Sequence, residues 1–144
     1  MAKLENETHF VGQIAQKAFI ENDKGQVLLV QYPFDENPAA GKWDLPGGRL
    51  NINESPHDGL KREVHEEIGA EINVEEIITT AVNVVTDTFK LYVVVYRATL
   101  VNPMVPLVAE ENEIGKIEWH DKKDLLTLSM LNNVYSEAFK ANLL

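Results

Sequence analysis

The stretch from Gly48 to Ala70 constrains this sequence most, because it combines clear helix boundaries with a regular set of charged residues. It reads GRLNINESPHDGLKREVHEEIGA. Its second half is predicted to be a helix, in which Ser55 is a favourable N-cap, Pro56 suits the first helical position and Asp58 completes a capping-box pattern. Gly69 is predicted to end this helix, since glycine adopts the left-handed conformation at little cost.

Two stripes of side chains run along this predicted helix. At roughly 100° per residue, an acidic stripe lies beside an apolar one. The apolar stripe is Leu60, Val64 and Ile68, and the acidic stripe is Glu63, Glu66 and Glu67. Exposed neighbouring carboxylates repel by about 0.2–0.5 kcal/mol per pair, and Lys61 and Arg62 are expected toward the back of the acidic stripe. A divalent cation would supply the missing counter-charge. The alternative is a solvated acidic face, the usual meaning of a pair such as Glu66–Glu67 alone.

The spacing of these residues resembles the Nudix box, G-x5-E-x7-R-E-U-x-E-E-x-G-U, where U is a bulky aliphatic residue. Gly48, Glu54 and the run Arg62–Gly69 match every charged and glycine position of this pattern. Two residues depart from the usual sequence. Ala70 is smaller than the aliphatic residue usually found there, and Gly59 stands where a helix former is common, at a cost of roughly 1 kcal/mol.

The resemblance implies hydrolysis of a nucleoside diphosphate linked to some group X, with in-line attack of water on phosphorus and Mg²⁺ or Mn²⁺ as the cofactor. The implied metal ligands are the side chains of Glu63, Glu66 and Glu67 and the backbone carbonyl of Gly47. Glu54 and Arg62 are implied to orient this carboxylate array, Arg62 through charge-assisted hydrogen bonds.

The general base is left open between a box glutamate and the acidic loop that contains Glu110, Glu111 and Glu113. Glu113 is favoured, because the segment EIGKIEW resembles the family segment that places a glutamate shortly before a tryptophan-containing strand. A solvated loop explains any one of these glutamates equally well.

Residues 41–48, GKWDLPGG, resemble the strand and Pro-Gly-Gly turn that lead into the box. The predicted substrate contacts are Lys42, Trp43 and Arg49, of which the two cations are the nearest to the box. The loops 32–41 and 101–112 are predicted to form two lips of the site. In the first loop, Tyr32 or Phe34 either stacks on a base or packs within the fold.

Outside the box, the pattern indicates mainly strands. Extended segments are predicted within 9–20, 27–30, 71–88, 91–96 and 114–119, the first two forming a hairpin through the turn 22–25. A short helix capped by Asp121 and an amphipathic helix from Leu131 to Phe139 follow. This order predicts an α/β fold with a mixed sheet covered on both faces. The resemblance implies the same architecture, the Nudix α/β/α sandwich with a mixed β-sheet between helices, as a single domain over residues 1–144.

Composition limits the partners. The 144 residues carry a formal net charge of −10 and no cysteine, which excludes disulfides and thiol catalysis. The charge argues against binding to nucleic acid or an anionic membrane, and a polyphosphate substrate must arrive with metal ions. No apolar run approaches the roughly 18 residues that a membrane span needs. Residues 1–10 lack the apolar core of a signal peptide, so a cytoplasmic location is expected. A small nucleotide is the expected partner, and a homodimer is left open.

Two rivals share the implied fold. A diphosphate isomerase would use a cysteine in its chemistry, and this chain has none. A catalytically inert nucleotide-binding or regulatory module would typically have lost box carboxylates, all of which are present, so hydrolysis is preferred. The signatures of the ADP-ribose and diadenosine-polyphosphate subclasses would place a proline and a tyrosine where Thr86 and Thr88 stand. Neither subclass is supported. A nucleoside triphosphate is the default substrate, on chain size alone.

Overall fold

The computed structural model describes residues 8–144; residues 1–7, part of the segment behind the localisation prediction, lie outside the described residues. The elements within the described part follow one another in this order: β1 Gln13–Ile20, β2 Gln26–Gln31, β3 Trp43–Asp44, β4 Gly47–Arg49, α1 Pro56–Ile68, β5 Ile72–Val84, β6 Lys90–Leu100, β7 Lys116–Asp121, a 3₁₀ helix Lys122–Leu126, and α2 Val134–Lys140. No helix within residues 8–144 is both long and apolar enough to cross a membrane.

The strands form two sheets that share the core with the helices. A four-stranded mixed sheet has the order β4-β1-β6-β5, and a three-stranded antiparallel sheet has the order β3-β2-β7. In the larger sheet, β1 runs parallel to β6 and antiparallel to β4. Helix α1 packs with one face of the larger sheet and α2 with the other. Strand β2 of the smaller sheet contributes to both clusters, through Leu28 and Val30 on the α1 side and through Val27 and Leu29 on the α2 side. The predicted α/β/α sandwich with a mixed sheet is confirmed.

The predicted hairpin of β1 and β2 is wrong. These two strands follow each other in sequence, but they belong to different sheets and share only an isolated bridge between Glu21 and Val27. The turn at 22–25 does form, with the Asn22 side chain accepting from the backbone N–H of Lys24 and Gln26 at 3.0 Å each. The turn therefore carries the chain from one sheet to the other instead of pairing its flanking strands.

Helix α1 has the predicted ends and the predicted buried face. The backbone N–H of Asp58 donates to the Ser55 hydroxyl at 3.3 Å, and Gly69 adopts the left-handed conformation with φ 68°. The apolar stripe of Leu60, Val64 and Ile68 is fully buried against the larger sheet. The acidic stripe is thereby turned toward β4, which precedes the helix in the chain.

The segment 101–115 connects β6 to β7 along the C-terminal end of α1. The N–H of Val108 donates to the carbonyl of Ile68, and the N–H of Glu110 donates to that of Glu67, each at 2.9 Å. The predicted loop at 101–112 is confirmed. Further on, a 3₁₀ helix replaces the predicted short helix, and Asp121 occupies its N-cap position without making a side-chain capping bond.

Candidate active site

Arg62 lies at the centre of the acidic array. Its Nε and Nη2 donate to the two carboxylate oxygens of Glu54, at 2.9 and 2.7 Å. Its Nη1 donates to Glu63 at 2.9 Å and to Glu66 at 3.2 Å, while Nη2 also reaches the carbonyl of Arg49 at 3.2 Å. The expectation that Arg62 would lie toward the back of the acidic stripe is therefore wrong. Its long side chain folds over the stripe and bridges three carboxylates.

Glu54 is held so firmly that it serves as a fixed support for Arg62. Hydrogen bonds from Arg62 and from the backbone N–H of Asn51 lower the pKa of Glu54 to about 2. The departure at Gly59 also has a steric explanation here. A Cβ at this position would lie 2.6 Å from a methyl carbon of Leu50 and 2.8 Å from a carboxylate oxygen of Glu54. The glycine leaves room for the Glu54–Arg62 pair beneath the helix.

Two glycines of β4 allow the helix carboxylates to approach the strand. A Cβ on Gly48 would lie 2.4 Å from the carboxylate of Glu63. Gly47 donates its N–H to Glu67 Oε1 at 2.6 Å, and its φ of 145° belongs to a region that favours glycine. Gly47 was predicted to offer its carbonyl to a metal, and its N–H is already bound to a predicted ligand of the same metal.

The three helix glutamates differ sharply in environment. Glu66 is about half exposed, with 52% of its side chain accessible, whereas Glu67 is only 5% exposed. Burial raises the pKa of Glu67 to about 7, with the negative charge of Glu63 contributing in the same direction, while Lys17 and the Gly47 N–H act against it. Glu67 is thus a buried acid that exchanges its proton near neutral pH.

Within residues 8–144, no three acidic or histidine side chains converge closely enough to hold an ion as they stand. The chemistry of the donor set nevertheless fits a hard cation. All donors are carboxylate or carbonyl oxygens, which Mg²⁺ and Mn²⁺ prefer. A divalent cation would also offset both the burial of Glu67 and its repulsion from Glu63.

The loop glutamates take different roles. The carboxylate of Glu110 accepts from the backbone N–H groups of Asn112 and Glu113, at 2.9 and 2.8 Å, and so closes the turn. The Glu113 carboxylate makes no hydrogen bond with residues 8–144. Desolvation raises the pKa of Glu113, and the charges of Glu110, Glu63 and Glu66 add to this. Glu113 therefore lies within electrostatic reach of the helix glutamates.

A cavity of about 720 Å³ opens beside the glycine turn. Lys42 and Arg49, the two cations predicted to contact the substrate, line it, and so does Tyr32 from the first predicted lip. The predicted second lip, 101–112, does not contribute. The opposite wall comes from 82–85 at the end of β5 and from 131–133, before α2.

Trp43 does not line this cavity, contrary to the prediction of a substrate contact. It is 8% exposed and packs in the core between the sheets, where its ring meets that of His120 edge-on with centroids 4.8 Å apart. The physical reason is the pairing of β3 with β2, which turns the indole toward the interior. Phe34 is 82% exposed, and its ring lies over Gly41.

The sequence analysis missed a buried polar cluster at the cavity floor. The Lys17 ammonium lies 2.9 Å from Asp44 Oδ2, and the hydroxyls of Tyr32 and Tyr135 both donate to the same carboxylate. One signal was present in the sequence: Lys17 interrupts the apolar part of β1, AQKAFI, where a charged residue is unexpected unless it is paired.

A mixed sheet with an acidic helix against a glycine turn is an arrangement that can be compared with known protein families. The NUDIX domain model matches residues 13–141. The chain therefore belongs to the Nudix family of hydrolases.

Three individual likenesses agree with this assignment. The MutT protein of Methanosarcina mazei Go1 superposes with a TM-score of 0.77 at 27% identity, over 97% of this chain and 99% of that one. The CTP pyrophosphohydrolase of Escherichia coli is 40% identical over 63 residues, which are 44% of this chain and 45% of that protein. Nudix hydrolase 2 of Arabidopsis thaliana is 28% identical over 132 residues, 89% of this chain and 45% of that one. The matches thus span less than half the length of these two curated relatives.

Proposed function

We propose that this protein is a divalent-metal-dependent hydrolase that cleaves a pyrophosphate linkage in a nucleoside diphosphate linked to X. The observation that carries this proposal is the array of Glu63, Glu66 and Glu67 beside a cavity of about 720 Å³, with Arg62 bonded to the first two and the Gly47 N–H bonded to the third. The names of two relatives, a CTP pyrophosphohydrolase and an 8-oxo-dGTP diphosphatase, support a nucleoside triphosphate or a nucleotide derivative as substrate. We expect a cytoplasmic enzyme with a small nucleotide partner, and a homodimer stays open.

Mg²⁺, or Mn²⁺ in its place, would be held by Glu63, Glu66 and Glu67 with the carbonyl of Gly47. When bound, such an ion neutralises charge on the phosphate oxygens and lowers the pKa of a coordinated water. The chain itself prepares the ligands. Arg62 holds Glu63 and Glu66 through its Nη1, and Glu67 must release its proton before it can act as an anionic ligand.

Glu113 is the general base that we propose. A base needs a carboxylate that is free to accept a proton, and Glu110 is already engaged by the backbone of its own turn. The raised pKa of Glu113 makes it a better proton acceptor than an ordinary surface glutamate. A box glutamate is the alternative, and Glu113→Gln separates the two by its effect on kcat at saturating metal.

Lys42 and Arg49 are proposed to contact the phosphate groups or the group X. Both line the cavity next to the glycine turn, and Arg49 is further placed by the Phe89 ring, whose centroid lies 5.0 Å from its guanidinium carbon. The net charge of −10 makes such local cations necessary for an anionic substrate.

The test is a panel of nucleoside triphosphates and nucleoside diphosphate derivatives, assayed with Mg²⁺, with Mn²⁺ and with a chelator. We expect metal-dependent release of phosphate, pyrophosphate or a nucleotide from at least one compound, and loss of this activity in Glu66→Gln. Glu137→Gln is the matched control, because Glu137 is an exposed glutamate on α2, away from the site. Its carboxylate lies 3.6 Å from the ammonium of Lys140. Binding of nucleotides without turnover of any of them would favour the inert module and refute the hydrolase.

A further inference from the structure

Lys17 is a buried cation at the floor of the cavity, and no part of the mechanism above uses it. It lies in β1, its side chain is 9% exposed, and it lines the cavity together with Gly47, Gly48 and Arg49. We propose that Lys17 binds the phosphate groups of the substrate directly, with Asp44 as the residue that positions it. This inference rests on the proposed function, since it concerns the same cavity and deepens its account of substrate binding.

The hydrogen bonds of the Lys17–Asp44 pair are distributed unequally. The Asp44 carboxylate accepts from Lys17 at 2.9 Å, from Tyr32 at 3.0 Å, from the Leu45 N–H at 2.8 Å and from the Tyr135 hydroxyl. It is 1% exposed, so it is saturated and closed to any ligand. The carboxylate thus acts as an anchor for the groups around it.

Lys17 has donors left over. An ammonium group carries three N–H donors. Asp44 is its only hydrogen-bonding partner among residues 8–144. The remaining donors belong to a group that borders a cavity, so an oxygen-rich anion in that cavity completes their hydrogen bonding.

The charge of Lys17 is secured by its surroundings. Burial alone would lower the pKa of this ammonium, but the charges of Asp44 and Glu67 and the hydrogen bond to Asp44 raise it above its ordinary value. Lys17 therefore stays protonated throughout the pH range in which an enzyme works. A permanently charged and immobilised donor needs little reorganisation when it receives a phosphate.

The backbone brings this cation next to the acidic array. Lys17 pairs with Gly47 across β1 and β4, and Gly47 in turn donates its N–H to Glu67. The strands approach so closely that a Cβ on Gly47 would lie 2.0 Å from the Gln16 carbonyl oxygen and 2.9 Å from the Lys17 Cα. A phosphate group at the helix glutamates therefore lies beside Lys17. The other cavity cations, Lys42 and Arg49, are more accessible to solvent.

The competing interpretation is that Lys17 only neutralises the buried charge of Asp44. Replacing Lys17 alone cannot decide, because an unpaired buried carboxylate destabilises the fold. The double variant Lys17→Met/Asp44→Asn removes both charges, keeps the net charge and keeps an acceptor for the tyrosines. A structural role predicts that this variant binds substrate normally; a phosphate-binding role predicts that it does not.

The experiment is calorimetric titration with inorganic pyrophosphate in the presence of Mg²⁺, which requires no turnover. We expect the Kd of Lys17→Met/Asp44→Asn to rise at least tenfold over wild type. The matched control is Lys122→Met/Glu21→Gln, which removes another lysine–carboxylate pair, 3.1 Å apart and outside the cavity; its Kd should stay within twofold of wild type. A folded double variant with wild-type affinity, or a wild type without measurable binding, would overturn the inference.

Asp44→Asn alone keeps the test decisive if the double variant does not fold. It removes the carboxylate that positions Lys17 and keeps it protonated, so pyrophosphate should bind at least threefold more weakly; unchanged or tighter binding contradicts the inference. The result can be separated from the hydrolase proposal. Absence of turnover with every nucleotide refutes the hydrolase, whereas pyrophosphate affinity alone decides the role of Lys17.

Discussion

Replacing Glu67 by glutamine should change the stability of the metal-free protein in a pH-dependent way. Glutamine matches the protonated carboxyl in size and can still accept the N–H of Gly47. The folded-state pKa of Glu67 is raised above its ordinary value, so its stabilising contribution is present at low pH and is lost as the pH rises through about 7. The glutamine side chain does not titrate, so its contribution to stability does not change with pH.

The magnitude follows from the two pKa values. Between the ordinary value of 4.5 and the folded-state value of about 7, the free energy of unfolding of the wild type falls by about 1.4 kcal/mol per pH unit, or roughly 3 kcal/mol in total. Relative to wild type, Glu67→Gln should therefore gain about 2–3 kcal/mol between pH 5 and pH 8. At roughly 2–4 °C per kcal/mol for a chain of this size, the melting temperatures should diverge by several degrees.

The assay is urea denaturation of wild type and Glu67→Gln with a chelator at pH 5, 6, 7 and 8. Glu66→Gln is the control, since its carboxylate is about half exposed and its bond to Arg62 is that of a surface ion pair, worth less than about 1 kcal/mol. It should show the same small change at every pH. A constant difference between Glu67→Gln and wild type across this range would show that Glu67 is ionised in the metal-free fold and would refute the reasoning.

Three further outcomes are expected. Glu66→Gln should lower turnover at least about a hundredfold, because a metal supplies several kcal/mol of transition-state stabilisation. Steady-state kinetics at saturating Mg²⁺ measure this, and near-wild-type turnover would show that Glu66 has only a structural role. Val64→Ala should lower the free energy of unfolding by roughly 1–3 kcal/mol while activity per folded molecule persists, as seen by denaturation beside kinetics. Gly48→Ala places a methyl group 2.4 Å from the Glu63 carboxylate, so it should weaken Mg²⁺ binding in a calorimetric titration; unchanged binding would exclude Glu63 as a ligand.

The parts of the fold that the sequence predicted well are local. The ends of α1 depend on Ser55 and Gly69, which act on backbone groups of their own helix. The buried and acidic faces follow from helical periodicity. Likewise, the strong β-branched and aromatic run at 91–96 lies within β6. Each of these features is specified by residues a few positions apart.

The features that the sequence did not predict depend on contacts between distant segments. A turn between two apolar strands indicates a hairpin, but β1 pairs instead with β6, matching Gln13 to Leu91. Trp43 was predicted to contact the substrate, whereas the pairing of β3 buries it. In the same way, the importance of Lys17 could not be judged before its partner was known.

The hydroxyl of Tyr135 binds the carboxylate of Asp44, 91 positions earlier in the chain. At about 5–20 residues per second, a ribosome needs roughly 5–18 s to make the intervening segment. The acidic helix and its arginine are synthesised within this interval, and they are encoded close together. The anchor of Lys17 is completed only after α2 has emerged and docked. The segment that carries the box carboxylates is therefore synthesised well before the Tyr135 hydroxyl that completes the anchor of Lys17.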